Sequence, residues 1–265
     1  MELTIGCTTR PYNALTFAGA CERIAKAGYT DVAVFAHDKQ MPVDSNSSKE
    51  QVAEARKAAE DVGLAPSMLL ARTHLELGLD EAVADYKRLI DNAAELGTKW
   101  LLELGTSKEE FYADYPELMR QAAPHAEQAG VGISLKPHGG ISLTANELID
   151  LHGKVNHPAF GLSYDPGNII FYTKGEVRPE SEVDLVASRT TTLIIKDCSL
   201  DGEKPDVAIT AGDGLVDFPR VLTGLTQGGF KGPMYVECVG GKVDPQIDRD
   251  TAFTLGYIKG ILTSL

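Results

Sequence analysis

Short hydrophobic runs alternate with longer amphipathic stretches along the whole chain. The runs are rich in Val, Ile and Leu and recur about eight times, and the stretches between them carry apolar residues at spacings of three and four. The first pattern is typical of buried strands and the second of surface helices. The predicted strands span residues 3–7, 31–35, 65–71, 99–105, 131–137, 160–165, 191–197 and 233–239. The predicted helices span residues 14–27, 48–62, 79–96, 108–129, 144–153, 180–188, 217–227 and 249–263.

Each predicted strand leads into a helix, as parallel strands require, because each of them needs a crossover connection. Eight such units predict a (β/α)8 TIM barrel, an α/β fold, formed as a single domain by residues 1–265. A doubly wound open sheet is the alternative, but no G-x-G-x-x-G motif follows the first strand. Four helices are predicted to end in a left-handed cap at Gly28, Gly63, Gly97 and Gly130.

Ionisable residues stand at the ends of five neighbouring strands, the fourth to the eighth. They are Glu103, Lys136 with His138, Asp165, Lys196 with Asp197, and Glu237. In a TIM barrel these ends meet at the face that carries active sites. Period-two alternation places Lys136 and His138 on one side of their strand, but it does not decide which side of a strand faces inward. The alternative to an active site is a structural network in which the two lysines balance two of the carboxylates.

Three carboxylates and a histidine converging on one point would supply the oxygen and nitrogen ligands of a divalent cation. The predicted cofactor is therefore Mn, Mg, Co or Zn. A cation held by only three side chains would keep open positions for water and substrate oxygens, as catalytic metal sites do.

Composition narrows the class of partner. The formal net charge of −13 disfavours nucleic acid, and no apolar run approaches the roughly 18 residues that a membrane span needs. The start of the chain shows no leader pattern and the four cysteines form no C-x-x-C pair, so we expect a soluble, cytoplasmic protein with reduced thiols. Small molecules and metal cations remain as partners, and homo-oligomerisation is left open.

Five motifs in order make the chain resemble the xylose isomerase-like TIM barrels, the superfamily of sugar phosphate isomerases and epimerases. They are K-P-H-G-G (136–140), Y-D-P-G-N (164–168), I-K-D-C (195–198), G-D-G-L-V-D-F (212–218) and G-P-M-Y-V-E (232–237). The resemblance covers almost the whole chain and implies a carbohydrate substrate. The ordered set is fairly specific for the superfamily and does not indicate which sugar is bound.

The resemblance also implies a metal held by a Glu after strand five, an Asp after strand six, a His after strand seven and a Glu after strand eight. Asp165 and Glu237 match this set. Lys136 stands in the place of the first Glu, and Ile194 stands in the place of the His. The predicted metal ligands are therefore His138, Asp165 and Glu237, with His138 as the substitute.

The remaining roles follow from position at the strand ends. Lys136, Glu237 and Glu103 are the predicted catalytic residues, with Lys136 as a hydrogen-bond donor to substrate or an acid/base group. The predicted substrate-binding residues are Lys196, His37, His74, Arg72 and Asn168. A salt bridge from Lys196 to Glu237 or Asp165 is an equal alternative for that lysine.

Three functions remain open. The first is a metal-dependent sugar isomerase or epimerase that removes a proton next to a carbonyl and forms an enediolate. The second is a lyase or dehydratase that uses the same step for β-elimination from a keto-sugar or keto-glycoside. The third is a catalytically silent sugar-binding subunit of a barrel complex. The altered ligand set gives the first only a narrow advantage over the second.

Overall fold

In the computed structural model, eight parallel strands close into a barrel surrounded by helices. The structure describes residues 3–37 and 39–265. The barrel strands are β1 (Ile5–Thr8), β2 (Asp31–Val34), β3 (Ala65–Leu70), β4 (Trp100–Glu103), β5 (Gly132–Leu135), β6 (Phe160–Tyr164), β7 (Thr190–Ile195) and β10 (Met234–Val236). Strand β10 pairs with β7 on one side and β1 on the other, which closes the ring. The predicted TIM barrel is confirmed.

The helices lie between consecutive barrel strands, except the last one, which follows β10. They are α1 (Phe17–Lys26), α2 (Lys49–Glu60), α3 (Leu79–Leu96), α4 (Asp114–Ala129), α5 (Ala145–Val155), α6 (Pro166–Thr173), α7 (Pro179–Val186), α8 (Phe218–Gln227) and α9 (Asp244–Leu262). The four predicted glycine caps all have positive φ, between 70° and 97°. The short helix α6 and an antiparallel hairpin of β8 (Ser199–Asp201) and β9 (Lys204–Asp206) were not predicted.

The barrel has two apolar layers. The larger layer lies between the strands and the helices, and a smaller cluster fills the barrel interior. The interior cluster consists of Ala33, Phe35, Met68, Leu102, Ile194 and Tyr235, with Leu70 and Trp100 packed against it. These residues fix which side of β2, β3, β4, β7 and β10 faces inward, because side chains alternate along a strand.

Trp100 shows how tightly the interior is filled. A Cβ atom at Gly132 on β5 would lie 2.3 Å from the indole ring, so only glycine leaves room for it. Trp100 and Leu102 therefore occupy the inner side of β4. In the described part of the chain, no helix is both long and apolar enough to cross a membrane.

Candidate active site

Two lysines and two carboxylates meet inside the barrel at the C-terminal ends of the strands. Lys136 Nζ donates to Glu237 Oε2 at 2.6 Å and to Asp165 Oδ2 at 3.1 Å. Lys196 Nζ lies 2.6 Å from Glu237 Oε1 and 3.3 Å from Asp165 Oδ2. Each of the four side chains exposes 2% or less of its surface. The structure thus brings together Lys136, Asp165, Lys196 and Glu237, as predicted from their strand positions.

Asn168 fixes the geometry of Lys196. Its side-chain oxygen accepts from Lys196 Nζ at 3.1 Å, while its amide group donates to the carbonyl of Pro137 at 2.8 Å. Asn168 lies in the first turn of α6, where Asp165 is the N-cap and accepts from the Asn168 backbone N–H at 3.0 Å. The predicted substrate contact of Asn168 stays a prediction. In the structure this buried residue positions Lys196 and ties β5 to α6.

Arg10 adds a third cation to the cluster. It lies just after β1 and pairs with Glu237 Oε1, and 45% of its side chain is exposed. Burial disfavours the charged form of Glu237, but Lys136, Lys196 and Arg10 outweigh it and hold the pKa of this carboxyl well below its usual range. For Lys196, burial opposes the charged form, yet Asp165 and Glu237 raise its pKa above the ordinary value. Three cations face two carboxylates, so the cluster carries a net positive charge.

His138 borders the same cluster on a tight loop. Its backbone N–H donates to the Ser142 carbonyl at 2.8 Å, and its ring packs against Tyr172 at a centroid distance of 5.2 Å. Gly139 has a φ of +76°, and a Cβ there would lie 2.8 Å from the Tyr172 ring. Burial, together with the nearby Lys136 and Lys196, lowers the pKa of His138 to about 4. The imidazole is therefore neutral near pH 7.

A cavity of about 320 Å³ opens onto these residues. Its polar wall consists of Arg10, Asn13, Lys136, His138 and Glu237, and its apolar wall of Phe35, Ala36, Leu70 and Leu104. A volume near 300 Å³ is at the small end of ligand pockets. The arrangement suits a small molecule with several oxygen atoms.

The two lysines differ in the donors that they offer to this cavity. Among the described residues, Lys136 has two oxygen partners for its three N–H groups, so one N–H is left for a ligand. Lys196 has three oxygen partners, from Asp165, Asn168 and Glu237, and it does not line the cavity. Lys136 can therefore contact a ligand, whereas Lys196 supports the carboxylates. The predicted salt bridge of Lys196 is present.

Glu103 does not join the cluster. Leu102 faces the barrel interior, so alternation turns Glu103 outward toward α4, where Tyr115 donates to its Oε2 at 3.2 Å. Burial raises the pKa of Glu103 to about 7. Glu103 therefore lies outside the lysine–carboxylate cluster, because one residue of register separates the two sides of a strand, and its catalytic role stays a prediction.

Asp197, the other strand-end acid, is used by the backbone. Its carboxylate accepts from the N–H groups of Cys198, Gly212, Gly214 and Val216 at 2.8 to 3.0 Å. A Cβ at Gly214 would lie 2.3 Å from this carboxylate. Asp197 therefore holds the loop that follows the hairpin and is not available to a ligand.

The other predicted substrate contacts lie to one side. Arg72 and His74 line a second cavity of about 460 Å³, which shares Leu70 with the first. His74 Nδ1 lies 2.7 Å from Asp85 Oδ2. His37 Nδ1 lies 2.9 Å from the Leu15 carbonyl, and its ring packs against Phe17. The structure does not bring these three residues to the lysine–carboxylate cluster, and their substrate contacts stay predictions.

Of the predicted metal set, His138 and Glu237 line the cavity and Asp165 does not, and the three side chains do not fit a divalent cation as they stand. The oxygens of Asp165 and Glu237 that face each other are already bridged by the ammonium groups of Lys136 and Lys196. Across residues 3–37 and 39–265, no group of three or more His, Cys, Asp and Glu side chains is arranged to hold a metal ion. A cation would have to displace two buried lysines. Metal binding at this set stays a prediction.

Arg10 was not among the predicted site residues. The arginine follows β1 in the loop that forms the barrel mouth, and no motif marks it. The need of the buried Glu237 for a positively charged partner could have indicated Arg10. The two residues follow the neighbouring strands β10 and β1.

The fold and the strand-end cluster define a TIM barrel with an internal polar site. A family model described as xylose isomerase-like TIM barrel matches residues 21–255. The chain belongs to this family. Comparison with curated protein sequences gives no match.

Solved structures with the same fold cover nearly the whole chain. A xylose isomerase-like TIM barrel protein from Mycobacterium smegmatis in complex with magnesium is 18% identical, with a TM-score of 0.79, and 98% of each chain is covered. A D-psicose 3-epimerase with D-tagatose from Clostridium cellulolyticum H10 is 16% identical, with a TM-score of 0.76, covering 98% of this chain and 99% of that one. A 3-keto-D-glucoside 4-epimerase from E. coli in its apo form is 14% identical, with a TM-score of 0.74, covering 98% and 100%. At these identities the likeness shows the fold.

Proposed function

We propose that the protein is a sugar isomerase or epimerase that removes a proton from the carbon next to a carbonyl and passes through an enediolate. The main supporting observation is Lys136, which lines the cavity, belongs to a cluster of net positive charge, and has one N–H more than its two carboxylate partners use. A carbonyl oxygen that accepts this N–H would gain negative charge beside a fixed cation when the proton leaves. Family membership and the folds of the sugar epimerases support the same reaction class.

Each residue at the cavity has a distinct role in the proposal. Lys136 binds the carbonyl oxygen and stabilises the enediolate. His138 accepts the proton, because its ring is neutral and lines the cavity. Glu237 orients Lys136 and Arg10, and proton removal by Glu237 itself is the alternative. Both oxygens of Glu237 are already held by Lys136, Lys196 and Arg10, whereas no such ion pair engages the His138 ring among the described residues.

The return of the proton decides the product. Delivery to the opposite face of the same carbon gives an epimer, and delivery to the former carbonyl carbon gives an isomer. A lyase instead lets the electron pair of the enediolate expel a β-leaving group. The lyase is the second candidate function, because the cavity presents two cationic donors, Lys136 and Arg10, and one neutral base where an epimerase would use two matched carboxylates.

Exchange of a sugar proton for solvent deuterium reports enolisation whichever product forms. It therefore tests the proposal before the product is known. The purified protein is incubated in D2O with D-psicose, D-tagatose, D-fructose, L-ribulose and a 3-keto-glucoside, the sugars that occur with proteins of this fold. Deuterium incorporation next to the carbonyl, followed by proton NMR, reports enolisation. A new epimer or isomer indicates the first function, and loss of a leaving group indicates the lyase.

A matched pair of variants links the exchange to the site. Lys136→Met removes the ammonium that faces the cavity. Lys154→Met removes an exposed ammonium on α5 that pairs with Asp150. Exchange should fall about 100-fold or more in the first variant and stay unchanged in the second. Tight sugar binding without exchange in the wild-type protein would favour the silent subunit and contradict the proposal.

A further inference from the structure

Lys136 stands where the family resemblance implies a metal-binding glutamate. Its ammonium group lies between two carboxylates. A buried pair of like charges needs a counter-charge, which a divalent cation or a positively charged side chain can supply. Here Lys136 touches Asp165 at 3.1 Å and Glu237 at 2.6 Å, so the side chain itself fills that need. Lys196 bridges the same two carboxylates from the other side.

We infer that the site works without a divalent cation and that Lys136 and Arg10 form a two-cation clamp on adjacent substrate oxygens. This inference rests on the proposed function and names the group that stabilises its intermediate. Lys136 offers one N–H to the cavity. Arg10 offers further N–H groups, because a guanidinium carries five donors and Arg10 gives only part of its fork to Glu237.

The net charge of the cluster supports binding of a negatively charged ligand rather than a metal ion. The three cations exceed the two carboxylates, so a ligand that gains one negative charge makes the cluster neutral. A divalent cation added to the same five groups would instead bring two more positive charges next to two buried ammonium groups. The site therefore favours an oxyanion such as an enediolate over a metal ion. Matching substrates carry two oxygens on neighbouring carbons, as an α-hydroxy ketone does.

Mn²⁺ binding tests the inference without an activity assay. Electron paramagnetic resonance of Mn²⁺ is recorded with the wild-type protein, with Asp165→Asn and with Lys136→Glu. The wild-type protein and Asp165→Asn should bind Mn²⁺ equally weakly, through exposed acids alone. Lys136→Glu exchanges the bridging ammonium for a third carboxylate and should tighten Mn²⁺ binding by at least about tenfold. A stoichiometric wild-type site that Asp165→Asn abolishes would overturn the inference, whether or not Lys136→Glu folds.

Chelator treatment separates this inference from the proposed function. Exchange of a sugar proton that survives EDTA and falls at least about tenfold in Arg10→Gln supports both claims. Exchange that EDTA abolishes and Mn²⁺ restores overturns the inference and leaves the proposed function standing. Weak Mn²⁺ binding without exchange of any sugar tested counts against the proposed function, while the inference that the cluster holds no divalent metal is retained.

Discussion

Lys136 Nζ donates to Glu237 Oε2 at 2.6 Å across the barrel interior, from a strand three positions away in the ring. The contact joins the ends of β5 and β10, and both side chains are almost fully buried. A buried ion pair of this kind is costly unless its hydrogen bonds are complete, and here one lysine N–H is left toward the cavity. The pair therefore combines a structural role with a group that can meet a ligand.

The two lysines should contribute unequally to turnover. Lys136→Ala removes the donor that faces the cavity, so kcat for the exchange reaction should fall about 100-fold or more. Lys196→Ala leaves that donor in place and should have a smaller effect on kcat. Steady-state exchange rates with folded variants, checked by circular dichroism, measure the difference. Equal small losses would contradict the assignment of Lys136.

Asp165 should be important for stability. Asp165→Asn leaves Lys136 and Lys196 with Glu237 as their shared counter-charge, so the free energy of unfolding should fall by about 3–5 kcal/mol. Asp150→Asn is the control, because Asp150 lies on the exposed face of α5 and pairs with Lys154 in solvent. Urea unfolding of both variants tests this, and a similar small change in the two would contradict it.

The contribution of Glu103 to the free energy of unfolding should decrease as the pH rises. Burial raises its pKa from the ordinary 4.5 to about 7 in the folded protein. Between pH 4.5 and about 7 the unfolded chain loses this proton while the native state keeps it. The contribution of Glu103 to the free energy of unfolding therefore declines through that pH range and is fully lost above about pH 7. In Glu103→Gln, Tyr115 can still donate to the side-chain oxygen, and this decline should disappear. Unfolding free energies at several pH values test it, and a constant difference between the two proteins would refute it.

Gly139 should be needed to place His138 against Tyr172. An alanine there would combine a positive φ with a Cβ 2.8 Å from the Tyr172 ring. Gly202 in the β8–β9 hairpin has a φ of +60° and open space around it, so Gly202→Ala costs backbone strain alone. Exchange should fall about tenfold or more in Gly139→Ala and stay normal in Gly202→Ala. Loss of activity in both variants would point to general destabilisation.

The barrel could be predicted from the sequence because its signals are local and repeated. Apolar runs, amphipathic stretches and capping glycines recur with every unit, and each agrees with the others. Helix α6 was missed because Asp165-Pro166-Gly167-Asn168 resembles a turn. An N-cap aspartate followed by proline in the first turn was the signal that could have revealed it.

The site was predictable only in part. The strand ends supplied Lys136, His138, Asp165, Lys196 and Glu237, since position along a strand is local information. The outward direction of Glu103 depends on how Trp100 fits over Gly132 on the next strand, which is a tertiary contact. The pairing of both lysines with both carboxylates depends on distances across the barrel, between residues up to 101 positions apart in sequence.

The most direct test of the account is proton exchange of a ketose in D2O by EDTA-treated protein, followed by proton NMR for the wild type and for Lys136→Met. The account predicts deuterium incorporation next to the carbonyl in the wild type and a loss of about 100-fold or more in the variant. Equal exchange by both folded proteins, or exchange that requires an added divalent cation, would contradict it.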